Sequence, residues 1–289
     1  MKGGMKGQQQ NDDGYVSWSE FRSDRQEDQG GKNMTRKIFF GGLVLTMFMI
    51  PTLGFAQSSP DADEQSLLSA FTSYTDLYIR SVQQSLEILA STTEVTSGKW
   101  ENMKGVLEVF QKSDGKLIAW YVLPDGRYYT VDKGLMDVKL SDRSYFADLM
   151  AGKKIIGSLV VSKSTGQRSA VIAFPIKEGG KVVGGIGASI FLDKLSEEIG
   201  STLNLRPDTS FFALAPNGQT TLHRKTDRHF LDPRDLGSET LKKTANEMLT
   251  NNAGESTYFF DNVNKKAIYR TSPLTQWKFA IAFSAIPLK

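Results

Sequence analysis

From Asp61 to Val95 the chain reads DADEQSLLSAFTSYTDLYIRSVQQSLEILASTTEV, with no proline in the stretch and no glycine until Gly98. Leu67, Phe71, Tyr74, Tyr78, Val82, Leu86 and Leu89 recur at spacings of three and four, which is one face of a helix. Asp61, Asp63 and Glu64 stand at its start, where carboxylates favour the exposed backbone N–H groups. At 1.5 Å per residue, about 35 residues span about 50 Å, longer than one small domain is wide. A helix of that length must lie beside two modules or pair with a second copy of itself.

A second helical stretch, KWENMKGVLEVFQKS, occupies 99–113. Beyond it the periodicity changes. KLIAWYVLPDGRYYTVDKG reads as a hairpin turning at Pro124-Asp125-Gly126. After a helix-or-loop segment at 139–154, three strand-like runs follow, with turns at Thr165-Gly166 and Glu178-Gly179-Gly180. Turns this close imply antiparallel pairing, because parallel neighbours need long crossovers. A sheet flanked by helical segments is an α+β module. The plan then repeats: a helical connector at 192–205, a hairpin turning at Pro216-Asn217-Gly218, a helix in GSETLKKTANEMLTNNAG, and closing strands. The repeat unit is about 90 residues, carried by element order and the two turns.

Met34 opens a tripartite export signal: Arg36 and Lys37, an apolar run from Ile38 to Ile50, Pro51, then Gly54-Phe55-Ala56. Cleavage after Ala56 and retention as a membrane anchor are both open, since Ile38–Phe55 is at the short end of a spanning helix. Either way residues 57–289 are expected outside the cytoplasm, in the periplasm or at the cell surface. Residues 1–33 are polar and glycine-rich with little to bury, and read as a disordered or mis-assigned extension. The formal charge is +3, from 35 Lys/Arg against 32 Asp/Glu, with no basic block to attract nucleic acid. Cysteine is absent, which removes disulfides and thiolate metal sites.

Catalytic patterns are not found. Gly185-Ile186-Gly187 lies between two strand-like runs and has Ile190 where a dinucleotide loop needs its third glycine. The chain contains no GxxxxGK[ST] and no GxSxG. Its two histidines, His223 and His229, are spaced for no common zinc motif and read as surface residues on a polar loop. Asp142 and Asp148 read as solvated or capping groups rather than an acid–base pair. The expectation is no enzyme, no metal and no cofactor. What remains is binding. Arg143 offers a planar fork that grips a carboxylate through two hydrogen bonds. Tyr145 beside it can wall a small-molecule pocket and still offer a hydroxyl. A helix cap or salt bridge formed by Asp142 and Arg143, with Phe146 in the core, is equally open on the residues alone.

Asp142-Arg143-x-Tyr145-Phe146, then Gly152, Gly157, Val161-Ser162, Thr165-Gly166, Pro175-Ile176 and Val182-Val183-Gly184, together resemble the double Cache family of extracytoplasmic sensors. The resemblance runs from about 62 to 286, more weakly in its second half through APNGQTTLHR and SPLTQWKFAIAF. It implies a linker and long helix at 57–98, a membrane-distal PAS-like module at 99–191 holding the ligand, and a membrane-proximal one at 192–289. In the amino-acid-binding branch an Arg-x-Trp-Tyr segment holds the ligand carboxylate and a later aspartate its ammonium. Here Arg143 matches the arginine, Tyr145 and Phe146 stand for the aromatic pair, and Ser189 takes the aspartate's place, so a carboxylate or other small polar metabolite is expected rather than an amino acid. The implied pocket adds Asp142, Trp120 or Tyr121 (alternation turns one inward), Tyr129, Ser162 and Ala173.

Family members continue into a membrane helix and a kinase, cyclase or methyl-accepting domain, whereas this chain ends at Pro287-Leu288-Lys289. The expectation is therefore a stand-alone sensor that passes its signal to a separate membrane receptor, kinase or transporter, or that pairs as a homodimer through its helix. The rival is a structural or interaction module whose pocket no longer binds a ligand.

Overall fold

The structure, a computed structural model, describes residues 60–284. The extension at 1–33, the export signal at 34–56 and the linker residues 57–59 lie outside the described residues. The long helix α1 is Pro60–Leu89. Leu68, Phe71, Ile79, Val82 and Leu86 are fully buried along it, and Leu67, Tyr74, Tyr78 and Leu89 flank that stripe half-buried. It stops short of Val95; beyond its last turn Ser91 and Thr92 donate to the carbonyls of Ile88 (2.7 Å) and Leu89 (2.9 Å). Thr92 then turns extended, and its oxygen accepts from Val95 N to cap the one-turn helix α2, Thr93–Thr96. Helix α3, Trp100–Asp114, ends on Gly115 at φ 71°, a left-handed cap that glycine adopts without strain.

The first sheet contains β1 (Leu117–Val122), β2 (Tyr128–Thr130), β3 (Gly134–Leu135), β4 (Ile155–Val161), β5 (Arg168–Glu178) and β6 (Lys181–Phe191), in the order β3-β2-β1-β6-β5-β4. The short helix α4, Phe146–Met150, lies between β3 and β4. Strand β6 runs directly into α5, Leu192–Leu203. The second sheet contains β7 (Thr209–Leu214), β8 (Thr220–His223), β9 (Ala253–Phe260), β10 (Val263–Thr271) and β11 (Lys278–Ser284), in the order β8-β7-β11-β10-β9, with α6, Glu239–Thr250, before β9. Every pairing is antiparallel.

Leaving out the two-residue β3, the sheets share one order: the hairpin's first strand lies between its hairpin partner and the module's last strand, not beside the strand that follows the hairpin. The hairpin turns match in detail. Gly126 N donates to Leu123 O and Gly218 N to Ala215 O, both at 2.9 Å. Asp125 Oδ1 accepts from Arg127 N as Asn217 Oδ1 does from Gln219 N. Both glycines have positive φ, 85° and 96°, which the turn requires. The two modules are thus the same α+β unit used twice, as the repeat predicts.

One continuous core joins them. Phe71 of α1 packs its ring on Phe211 of β7 (5.0 Å) and Phe279 of β11 (4.8 Å), while Leu86, Tyr121, Ile172 and Ile186 continue that core over the first sheet. The other face of each sheet has its own smaller core, one under α4 and its flanking loops, one under α6. Both cavities considered below open on those outer faces.

Candidate functional site

Strand alternation decides which aromatic residues face which core. Across β1–β2, Trp120 pairs with Thr130, Tyr121 with Tyr129 and Val122 with Tyr128. Directly paired residues share a face. Trp120 and Tyr128 therefore turn to the outer core, and Tyr121 and Tyr129 to the helices. There Tyr121 and Tyr129 stack on each other, Tyr129 stacks on Trp100 (5.0 Å), and the Tyr121 hydroxyl donates to Gly98 O at 3.0 Å.

On the outer face a small cavity of about 20 Å³ is lined by Trp120, Tyr128, Arg143, Tyr145, Ser162 and Ser189, with Leu140, Val160, Lys163 and Ser164 completing it. That is room for about one water. The indole fills the rest: Trp120 Nε1 donates to Ser189 Oγ at 3.1 Å, and its ring lies 6.3 Å from that of Tyr145. Gly187 on β6 makes the space, since a Cβ there would lie 2.7 Å from Trp120 Cε2. Arg143 Nη2 donates to Val161 O at 2.6 Å, yet its Nε and the Tyr128 hydroxyl are buried with no hydrogen-bond partner. Burial raises the Tyr145 phenol far above its ordinary value, an effect Arg143 opposes, and raises that of Tyr128 as well. Both phenols stay protonated and able to donate.

The predicted residues thus divide. Trp120, Arg143, Tyr145, Ser162 and Ser189 converge on the cavity; Ala173 packs in the core beside it. Asp142 faces solvent and is bridged to Lys163 at 2.6 Å, which holds its carboxyl below the usual range. Lys163 also donates to Lys139 O, so this pair latches the loop before α4 to the turn between β4 and β5. Tyr121 and Tyr129 lie across the sheet. Tyr128, Lys163 and Ser164 are additional lining residues. Tyr128 was legible in principle, because strand parity makes it the partner-face neighbour of Trp120.

The histidines depart from the expected surface loop. His229 is 1% exposed; its Nδ1–H donates to Asp193 Oδ1 at 2.6 Å, and its Nε2 accepts from the Ser196 hydroxyl at 3.0 Å, both partners standing on α5. The sequence spacing concealed this because α5 approaches the loop only in three dimensions. Ser196 is itself 2% exposed, so its hydroxyl has no open approach and the trio ties α5 to the second module. Burial holds the His229 imidazole below its ordinary value against the pull of Asp193. His223, at the end of β8, is held down to about 3, by burial first and by Arg228 next.

His223 also lines a much larger cavity, about 540 Å³, on the outer face of the second sheet. Pro124 and Pro216 are 92 positions apart, and the same offset relates Trp120 to Phe212 and Tyr128 to Thr220. Phe212 and Thr220 both line it, so the two cavities occupy corresponding places. The smaller side chains leave open the space that indole and phenol fill in the first module. Among the described residues no cluster of His, Asp and Glu is arranged to hold a metal, and no helix is long and apolar enough to cross a membrane.

No family model matches the chain, and no curated protein matches it. Solved structures do. The extracellular domain assigned to the histidine kinase rpHK1S-Z16 is 16% identical, with a TM-score of 0.66 over 78% of this chain and 94% of that one. The sensory domain of the Campylobacter jejuni chemoreceptor Tlp3, solved with isoleucine bound, is 14% identical, with a TM-score of 0.57 over 77% and 91%. An extracellular ligand-binding receptor from Desulfohalobium retbaense is 13% identical, with a TM-score of 0.63 over 76% of this chain and 40% of that longer one. The chain has the double Cache fold of extracellular sensor domains.

Proposed function

We propose that this chain is an extracytoplasmic sensor that binds a small polar metabolite bearing a carboxylate in the first module and passes occupancy to a separate membrane receptor, kinase or transporter. The observation that carries this reading is the pair of unpartnered buried groups, Arg143 Nε and the Tyr128 hydroxyl, facing one cavity. A buried polar group without a partner costs about 1–3 kcal/mol, and a ligand carboxylate accepting from both would recover it. Ser162, Ser189 and Tyr145 supply the remaining polar contacts. Entry requires the Trp120 indole to leave Ser189 and the Asp142–Lys163 latch to open. An ion pair whose carboxylate is 68% exposed resists little, because water screens it. Ser189 sits on β6, which continues into α5, and α5 is bonded to the second module through Asp193 and Ser196, so a displaced indole has a rigid path along which to act. Leu77 and Ile88, both 66% exposed on α1, support pairing of two copies through that helix.

A second reading, an interaction module that binds no metabolite, rests on the Trp120–Ser189 bond and the 20 Å³ that it leaves. A thermal-shift screen of the full chain against organic acids, amino acids, amines and purines separates the two. A ligand at 100 times its dissociation constant adds about 2.7 kcal/mol, several degrees for a chain of this size. A carboxylate shift abolished in Arg143→Ala supports the sensor; silence across the panel, or a shift indifferent to Arg143→Ala, refutes a first-module site.

A further inference from the structure

The first module's cavity does not account for the much larger opening in the second module. The 540 Å³ cavity of the second module lies within the 300–1,000 Å³ range of small-molecule sites, and its lining mixes apolar with cationic side chains. Phe212, Leu241, Tyr258 and Val263 supply apolar surface, and Arg224, Lys225, Arg228 and Lys265 supply positive charge against Asp208 and Asp261. Lys265 is paired directly with Tyr258 across β10 and β9, so charge and ring surface stand side by side. Lys225 Nζ lies 3.7 Å and Arg228 Nη2 3.4 Å from Asp261 Oδ2, so two cations share one carboxylate. Lys265, half-buried on β10, has no carboxylate within 4.0 Å among the described residues and no side-chain hydrogen bond. His223 adds no charge, since its ring nitrogen Nδ1 accepts from Lys225 N at 2.8 Å and its imidazole is neutral.

We infer that the second module holds a binding site for a small organic anion with an apolar body, of the class of aromatic or branched carboxylates, its charge on Lys265 and Arg228 and its body against Phe212 and Tyr258. Four cations, Arg224, Lys225, Arg228 and Lys265, against two carboxylates, Asp208 and Asp261, leave an excess of positive charge in a partly desolvated place, which an anion compensates and a neutral molecule does not. Desolvation lowers the Lys265 ammonium below its ordinary value, Asp261 opposing the shift and Lys225 and Arg228 adding to it. An anion beside it would raise it again. The apolar surface distinguishes the site from a bare phosphate cradle: it offers ring and branched-chain contacts to a body of several carbons. The contrast with the first module, where Trp120 fills the corresponding place, makes this cavity open without rearrangement. The inference stands apart from the first-module reading, which depends on Arg143.

The test uses the full chain and 4-fluorophenylacetate as probe, followed by fluorine line broadening and calorimetry, with 4-fluorophenylacetamide and inorganic phosphate alongside. Binding of the carboxylate but not the amide is expected. Lys265→Met, which keeps the bulk of the stem and removes the charge, should weaken it at least about tenfold, the loss of one charge-assisted hydrogen bond. Phe212→Trp, which copies the first module's residue, intrudes on the wall against which the body packs and should weaken binding while the far-ultraviolet spectrum is unchanged. Arg143→Ala should leave the affinity alone. The inference is overturned if the carboxylate does not bind, if phosphate binds as tightly, if Lys265→Met or Phe212→Trp in folded protein binds normally, or if Arg143→Ala abolishes binding.

Discussion

Gly187→Ala offers a decision by sign. Gly187 lies within β6 paired with Trp120 on one side and Ala173 on the other, and its φ is not in the left-handed region. With no neighbour in the way, replacing a strand glycine by alanine would stabilise the protein by about 0.4–1 kcal/mol, because the unfolded chain loses freedom. The new methyl, however, would stand 2.7 Å from Trp120 Cε2, and closer still to Cζ2, against a rigid ring 3% exposed with nowhere to retreat. Overpacking of this kind costs about 1–3 kcal/mol, so the substitution should destabilise, lowering the thermal midpoint by about 2–12 °C at about 2–4 °C per kcal/mol. Trp120→Phe removes the clashing ring portion. Alone it sacrifices apolar burial and the bond to Ser189; combined with Gly187→Ala it should recover about 1–3 kcal/mol relative to the sum of the single changes. Urea unfolding of the four proteins gives the cycle, with equal slopes checking that the denatured states compare. A Gly187→Ala protein at or above wild-type stability, or strict additivity, would refute the claim that this glycine exists to seat the indole.

Other consequences follow from the cores and the imidazoles. Phe71→Ala removes the ring that packs on both Phe211 and Phe279 and should cost about 3–5 kcal/mol, read as a fall in the urea midpoint; under about 1 kcal/mol would mean that α1 is not the joint between the modules. His223 has a folded pKa depressed to about 3, so its contribution is present above about pH 6.5 and is lost as pH falls through that value, when the unfolded chain takes up a proton that the folded one refuses. Between pH 7 and pH 5 that amounts to about 2 kcal/mol, and His223→Gln should remove this part of the pH slope. His229→Ala leaves the Ser196 hydroxyl without its ring partner and removes the Asp193 hydrogen bond, and should cost about 2–4 kcal/mol, measured by the same unfolding curves. Asp142→Asn breaks an ion pair whose carboxylate faces solvent and should leave the urea midpoint close to that of the wild type, measured in low salt.

The order of helices, hairpins and closing strands was legible from local signals because each is carried by a few consecutive residues, while the double Cache family entered through the resemblance of motif residues such as Asp142-Arg143-x-Tyr145-Phe146. The apolar stripe of α1, the Pro124-Asp125-Gly126 and Pro216-Asn217-Gly218 turns and the glycine-marked turns around β5 determine where helices and strands begin and end without reference to anything distant. Even Arg143 and Tyr145 could be singled out, since an arginine among aromatics is a chemical statement on its own. Tertiary structure decided what depends on residues far apart in the chain. It set β1 beside β6 rather than β4, and thereby turned Trp120 outward and Tyr121 inward. It buried His229 against α5, where the sequence suggested a polar loop. It explained Gly185 and Gly187, which resemble a fragment of a nucleotide loop, as seats for Leu149 and Trp120. Cavity volume was the least legible property of all. It is the difference between the space enclosed and the side chains that fill it, so exchanging Trp120 and Tyr128 for Phe212 and Thr220 on the same scaffold accompanies a change from about 20 Å³ to about 540 Å³.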